Sequence, residues 1–146
     1  MRSGIRVLSL SALCCLCGIS ASSAYTPVKG HIMTQWARDV KPENVLPEYP
    51  RPQMAREDWQ NLNGLWDYAI TPKEAKRPTA FDGKILVPFP VESALSGVGK
   101  TVGEKSALWY SRTFTVPSAW KGKRVLLHFG AVDWQTTVWV NGRPSS

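Results

Sequence analysis

The chain has 146 residues, 18 Lys plus Arg against 11 Asp plus Glu, and a formal charge of +7. That length is one domain's worth and excludes a complete eight-stranded α/β barrel, which needs about 250 residues. With 43% hydrophobic and 20% charged residues the composition is globular, and seven Trp must find a core or a flat apolar ligand.

Residues 1–24 read as a secretory signal peptide. Arg2 and Arg6 form a positive start, Val7 to Ile19 is apolar, and Ala21-Ser22-Ser23-Ala24 offers a small-residue exit. The apolar run of 13 residues is shorter than the ~20 that span a bilayer. Cys14, Cys15 and Cys17 all lie inside this leader, so the mature chain carries no thiol and no disulfide. Cleavage also removes Arg2 and Arg6 and lowers the charge from +7 to +5. The expected location is secreted or periplasmic, with no membrane attachment after cleavage.

Residues 25–50 carry Pro27, Pro42, Pro47 and Pro50 with little periodicity and read as an extended lead-in, with Trp36 pinning part of it to the core. From Arg51 the pattern changes. Glu57-Asp58 before Trp59 reads as the first turn of a short helix. Leu65 to Ile70 alternates as a half-buried strand, with Trp66, Tyr68 and Ile70 on one face and Asp67 on the other, after the Asn63-Gly64 turn. Lys84 to Val87 is a second strand, stopped by Pro88 and Pro90, and Ser93 to Lys105 reads as a Gly-rich surface loop. Leu108 to Val116 alternates again until Pro117, with Arg112 interrupting its apolar face. Val125 to Phe129 is a buried-type run, and Thr136 to Val140 leads into a type I′ hairpin signal at Asn141-Gly142. Five strand-like runs without an amphipathic helix predict an all-β sandwich. The hairpin calls for a returning strand, yet only four residues follow Gly142, so the sandwich is expected to be incomplete at its C-terminus. Such a chain would expose a sheet edge and associate.

Candidate chemistry is thin. Ala94-Leu95-Ser96-Gly97-Val98-Gly99-Lys100-Thr101 approaches a phosphate-loop pattern, but Pro88 and Pro90 break the strand before it and no helix follows, so a surface loop is the reading. His31 and His128 have no ligand spacing and are read as structural, with His128 packed within a strand. Glu57, Asp58, Glu92 and Asp133 show no pairing of the kind glycoside hydrolysis uses, and no Gly-x-Ser-x-Gly elbow exists. Trp66, Tyr68, Tyr110, Trp134 and Trp139 sit on strand-like runs as core residues or, alternatively, as sugar-stacking rings. The basic cluster Lys121-Gly122-Lys123-Arg124 is a solvated turn, and no nucleic-acid partner is expected. No catalytic, cofactor or metal residue is assigned, and the substrate-binding residues are unknown at this level.

Longer runs are more specific. Arg51-Pro52-Gln53 and Leu62-Asn63-Gly64-Leu65-Trp66-Asp67-Tyr68 resemble the opening of the N-terminal sugar-binding domain of glycoside hydrolase family 2, which includes β-galactosidases, β-glucuronidases and β-mannosidases. Ile85 to Ser93, Leu108 to Phe114, Val125 to Trp134 and Val138 to Gly142 continue the resemblance in order, over Tyr49 to Gly142, or 94 residues.

The resemblance implies a jelly-roll, galactose-binding-like β-sandwich over 51–146. It implies a non-catalytic piece of an exported, β-galactosidase-like enzyme that hydrolyses O-glycosidic bonds with retention, taking a β-glycoside as partner through the parent enzyme. The family's middle domain and the barrel bearing its two catalytic glutamates have no counterpart here, nor does the Gly-x-His-x-Gly-Gly strand that usually follows the Asn-Gly turn. No family catalytic residue maps onto this chain, which alone is expected to be inactive. Two other readings stay open: a free-standing carbohydrate-binding module, and a purely structural or interaction sandwich.

Overall fold

The computed structural model describes residues 25–133 and 135–145, so the leader and Trp134 lie outside the described residues. Regular structure is built from strands. β1 is Gly64–Pro72, β2 Gly83–Val87, β3 Ser106–Ser111, β4 Val138–Val140 and β5 Arg143–Ser145. The helical segments among the described residues are short 3₁₀ turns, the longest being Gln35–Asp39. The chain is therefore all-β in class.

β1 lies at the centre of an antiparallel sheet in the order β2-β1-β3. Its register sets Trp66 opposite Ile85, Asp67 opposite Lys84 and Ser111, and Ala69 opposite Trp109. Side chains alternate faces along a strand. Trp66, Tyr68 and Ile70 thus share one face with Ile85, Val87 and Leu108, as the sequence pattern requires. On that face Tyr68, Ile85 and Val91 form the core, joined by Val98 and Val102. Ile85 and Leu86 are adjacent, point to opposite faces and are both fully buried, so β2 is covered on each side. Each such side chain contributes about 1.5–3 kcal/mol by burial.

The segment after β2 is no open surface loop. Val91, Ala94 and Ser96 are buried, and the fully buried Ser96 hydroxyl organises the turn. Its Oγ accepts the Val98 N–H at 3.0 Å and the Gly99 N–H at 3.3 Å, within reach of the Val91 and Ser93 carbonyls as acceptors for its proton. A 3₁₀ turn, Ala94–Ser96, is capped by Ser93 Oγ and leaves through Gly97 at φ 77°. The valines that close the core hang from this hub.

The lead-in is anchored by Ala37 and Val45, both buried, whereas Trp36 is 65% exposed and pins nothing. Val28 N–H donates to the Ala94 carbonyl at 2.9 Å, the Tyr25 hydroxyl to the Leu95 carbonyl at 2.8 Å, and Asn63 Nδ2 to the Val45 carbonyl at 3.2 Å. Glu57 and Asp58 sit in a bend rather than a helical turn, in a segment with no run of backbone i to i+4 bonds to extend it.

Three expectations for the C-terminal half change. β3 stops at Ser111, five residues before the expected Val116, and the Arg112 side chain that follows reaches back to the carbonyls just before β1. Val125 to Phe129 is not a strand: Val125, Leu126, Leu127 and Phe129 are 41–53% exposed, and no strand among the described residues pairs with them. The expected β4 shortens to Val138–Val140, while a returning strand does exist as β5. Asn141 at φ 51° and Gly142 at φ 78° give the two left-handed positions that a type I′ hairpin needs.

Because Ser96 satisfies two amide donors from a fully buried position, Ser96→Ala should destabilise the chain by about 1–3 kcal/mol. Urea denaturation checks this; an unchanged midpoint would show that the hydroxyl does not organise the turn.

Candidate functional site

The phosphate-loop pattern is used up internally. The amides of Ser96, Gly97, Val98, Gly99 and Lys100 all donate to acceptors within 91–99, and the Lys100 ammonium lies 5.8 Å from the Tyr68 ring centre. The five amides of Ser96–Lys100 are therefore committed to the chain's own acceptors and do not form an anion cradle. His128 is exposed in the unpaired 125–129 run and is not packed within a strand, and His31 is exposed in the lead-in. Among the described residues no group of three or more His, Cys, Asp or Glu could hold a metal ion.

The carboxylates have separate tasks. Asp58 accepts the Trp120 indole N–H at 3.0 Å and the Lys123 ammonium at 2.5 Å, tying the lysine-rich turn back to the segment before β1. The Lys123 hydrogen bond, foremost, holds the Asp58 carboxyl below its ordinary 3.8. Glu92 is exposed near Tyr110, whose phenol is pushed above 10.0 by burial first and by the Glu92 charge second.

Arg112 explains why a cation interrupts an apolar face. Its Nη1 donates to the Leu62 carbonyl at 2.9 Å and the Asn63 carbonyl at 3.0 Å, and its guanidinium lies 5.9 Å from the Trp66 ring centre. Gly64, at φ 121°, lets this happen: a Cβ there would stand 3.1 Å from both Arg112 Nη1 and the Pro42 carbonyl oxygen. Trp66 is fixed further by its indole N–H to the Leu62 carbonyl at 2.8 Å and by an edge-on contact with Tyr110 at 6.5 Å between ring centres.

The opposite face of the sheet carries the clefts. One, of about 320 Å³, is lined by Leu65, Asp67, Lys84, Ser111, Arg112 and Thr113. A second, of about 340 Å³, shares Leu65 and Lys84 with it and reaches Tyr25, Asp82 and Gly97. Lys84 Nζ meets Asp67 Oδ1 at 2.6 Å where the two adjoin. The Asp82 carboxylate accepts the Ile70 amide at 2.9 Å and closes the β1–β2 turn.

Aromatic residues divide by face. Trp66 and Tyr68 pack in the core, which supports that reading of the two over sugar stacking. Trp109 and Trp139 instead stack on each other, with ring centres 5.5 Å apart and planes 27° from parallel. The Trp109 indole N–H donates to Thr71 Oγ1 at 2.9 Å, while Trp139 is 41% exposed on β4. This pair joins the three-stranded sheet to the hairpin. Trp139 stands among the strand aromatics of the sequence pattern, whereas Trp109 does not; the alternation of β3, which sets Trp109 and Ser111 on one face, is the signal that finds it.

Arg112→Lys should cost about 1.5–3 kcal/mol in urea denaturation, since an ammonium cannot span both carbonyls and the indole face. A loss under about 0.5 kcal/mol, the range of an ordinary surface change, would remove Arg112 from its anchoring role. Asp58 has a folded-state pKa below its ordinary value, so its contribution is present above pH 3.8 and is lost as pH falls through the folded value. Melting temperatures of wild type and Asp58→Asn should therefore differ at neutral pH and converge in acid; parallel curves would contradict the Lys123 pairing.

No family model matches the chain. The chain is 28% identical over 100 residues to a β-glucuronidase of Paenibacillus borealis. The match covers 64% of this chain and 17% of the relative, so the chain spans about a sixth of that protein's length. The similarity gives the chain a relationship to a glycoside hydrolase.

Proposed function

We infer that the chain is the non-catalytic, N-terminal sugar-binding β-sandwich of an exported glycoside hydrolase of family 2. The observation that carries this reading is the similarity to a β-glucuronidase over 64% of the chain. The motifs at Leu62–Tyr68, Ile85–Ser93 and Leu108–Phe114 support it, since they contribute β1, β2 and β3 of one sheet, which would form a layer of a jelly roll. In such an enzyme two carboxylates flanking the scissile bond would come from another domain. This domain would flank that one and shape its rim. The relative's activity favours a β-glucuronide over the β-galactoside that the motifs alone suggest. Residues 1–24 would direct export, placing the enzyme outside the cytoplasm or in the periplasm.

The test is to read the coding sequence beyond codon 146 and assay the whole product on aryl β-D-glucuronide and aryl β-D-galactoside. The expected result is a frame encoding a catalytic domain, with hydrolysis by the whole product and none by residues 1–146. A native exported protein that ends at Ser146, without any larger form, would falsify the reading.

A further inference from the structure

The sheet face turned away from the Tyr68 core combines two features that occur together where sugars bind. One is a polar cleft and the other a pair of stacked indoles. The register places them side by side. Lys84, Asp67 and Ser111 form one row across β2, β1 and β3, and Ala69 with Trp109 forms the next. Rows on one face are separated by two residues along a strand, or about 7 Å, roughly the width of one pyranose ring. Ala69 is buried, so the part of this row open to a ligand is the half-exposed Trp139 ring that stacks on Trp109.

A pyranose presents an apolar C–H face and a rim of hydroxyls. Aromatic rings take the first, and convergent polar groups fix the second. The cleft supplies both hydrogen-bonding senses. The Asp67 carboxylate accepts, and the Lys84 ammonium retains donors beyond the one directed at Asp67. Ser111 and Thr113 hydroxyls can do either. Trp109 is held in place by its bond to Thr71, and Trp139 lies against it with 41% of its surface open to a ligand.

We propose that this face is a carbohydrate-binding site in which a pyranoside stacks on the Trp109–Trp139 pair and directs its hydroxyls to Asp67, Lys84 and Ser111. The proposal deepens the sugar-binding reading given above and rests on it. It assigns recognition to the sheet face opposite Tyr68, with no bond to the sugar made or broken there.

The test uses the full chain, titrated separately with methyl β-D-glucopyranosiduronate and methyl β-D-galactopyranoside, with the tryptophan indole N–H signals followed by NMR. The expected result is a saturable shift of the Trp109 and Trp139 signals by at least one of them. Trp139→Ala should weaken that binding about tenfold, the loss of roughly one aromatic contact. Trp139→Phe should restore most of it, and Trp36→Ala, at an exposed ring elsewhere, should leave it unchanged. Asp67→Asn and Ser111→Ala should each weaken it several-fold while the Trp36 signal stays still. Absence of saturation with both glycosides up to about 50 mM, or binding that survives Trp139→Ala intact, overturns the site. Those failures leave the glycoside hydrolase assignment standing if the longer product is active. Conversely, binding at Trp139 in a chain that belongs to no hydrolase overturns the assignment and keeps the site.

Discussion

The alternation of β1 is the constraint on which the remaining structure depends. One nine-residue strand is bonded on both sides and separates the two faces of the sheet, so every neighbour inherits its sidedness. Trp66, Tyr68 and Ile70 commit one face to burial, and the Val91–Val102 segment folds over it around Ser96. Asp67 commits the other face to polarity, and Lys84 and Ser111 follow from register alone. A slip of one residue would exchange the faces, putting a carboxylate into the core. Arg112 and Gly64 fix the end of the strand against that slip, the one by two carbonyl bonds and the other by giving the guanidinium room.

The apolar surface is distributed unevenly along the chain. Between residues 25 and 111 the strands and the Ser96 hub enclose a small core. Beyond Arg112, Phe114, Val116, Val125, Leu126, Leu127 and Phe129 are all 40% exposed or more. The link back to the first part runs through polar contacts at Asp58 and through the stacked indoles of Trp109 and Trp139. An exposed run of this size is of the kind that interaction surfaces present. It fits the proposed role as one domain of a longer enzyme, whose other domains would cover it.

Much of the sheet was legible in the residues themselves. Period-two alternation located β1, Pro88 and Pro90 marked the end of β2, and Asn141-Gly142 gave the hairpin turn with its two positive φ angles. What alternation could not show is where the backbone pairing ends. Arg112 has a strand-compatible neighbourhood, and its bonds to the Leu62 and Asn63 carbonyls, some fifty residues back in the chain, are long-range contacts that no local pattern encodes. Val125–Phe129 has strong strand propensity, but propensity expresses fit to a paired, half-buried surface, and no described strand offers one. The Gly-rich composition of 93–105 hid a packed turn because its organiser is a single small polar residue. Of the candidate sugar site, the aromatic count was visible in the sequence, whereas the pairing of Trp109 with Trp139 is a long-range contact that no local pattern encodes.

β1 thus organises the sheet, while the 125–129 run pairs with no strand among the described residues. Amide hydrogen exchange on the full chain tests both halves at once. The predicted result is slow exchange at the β1 amides that bond to β2 and β3, with rapid exchange from Val125 to Phe129. Protection at Val125–Phe129 equal to that of β1 would contradict this division, since it would place the run in a sheet and make the exposed surface part of the core.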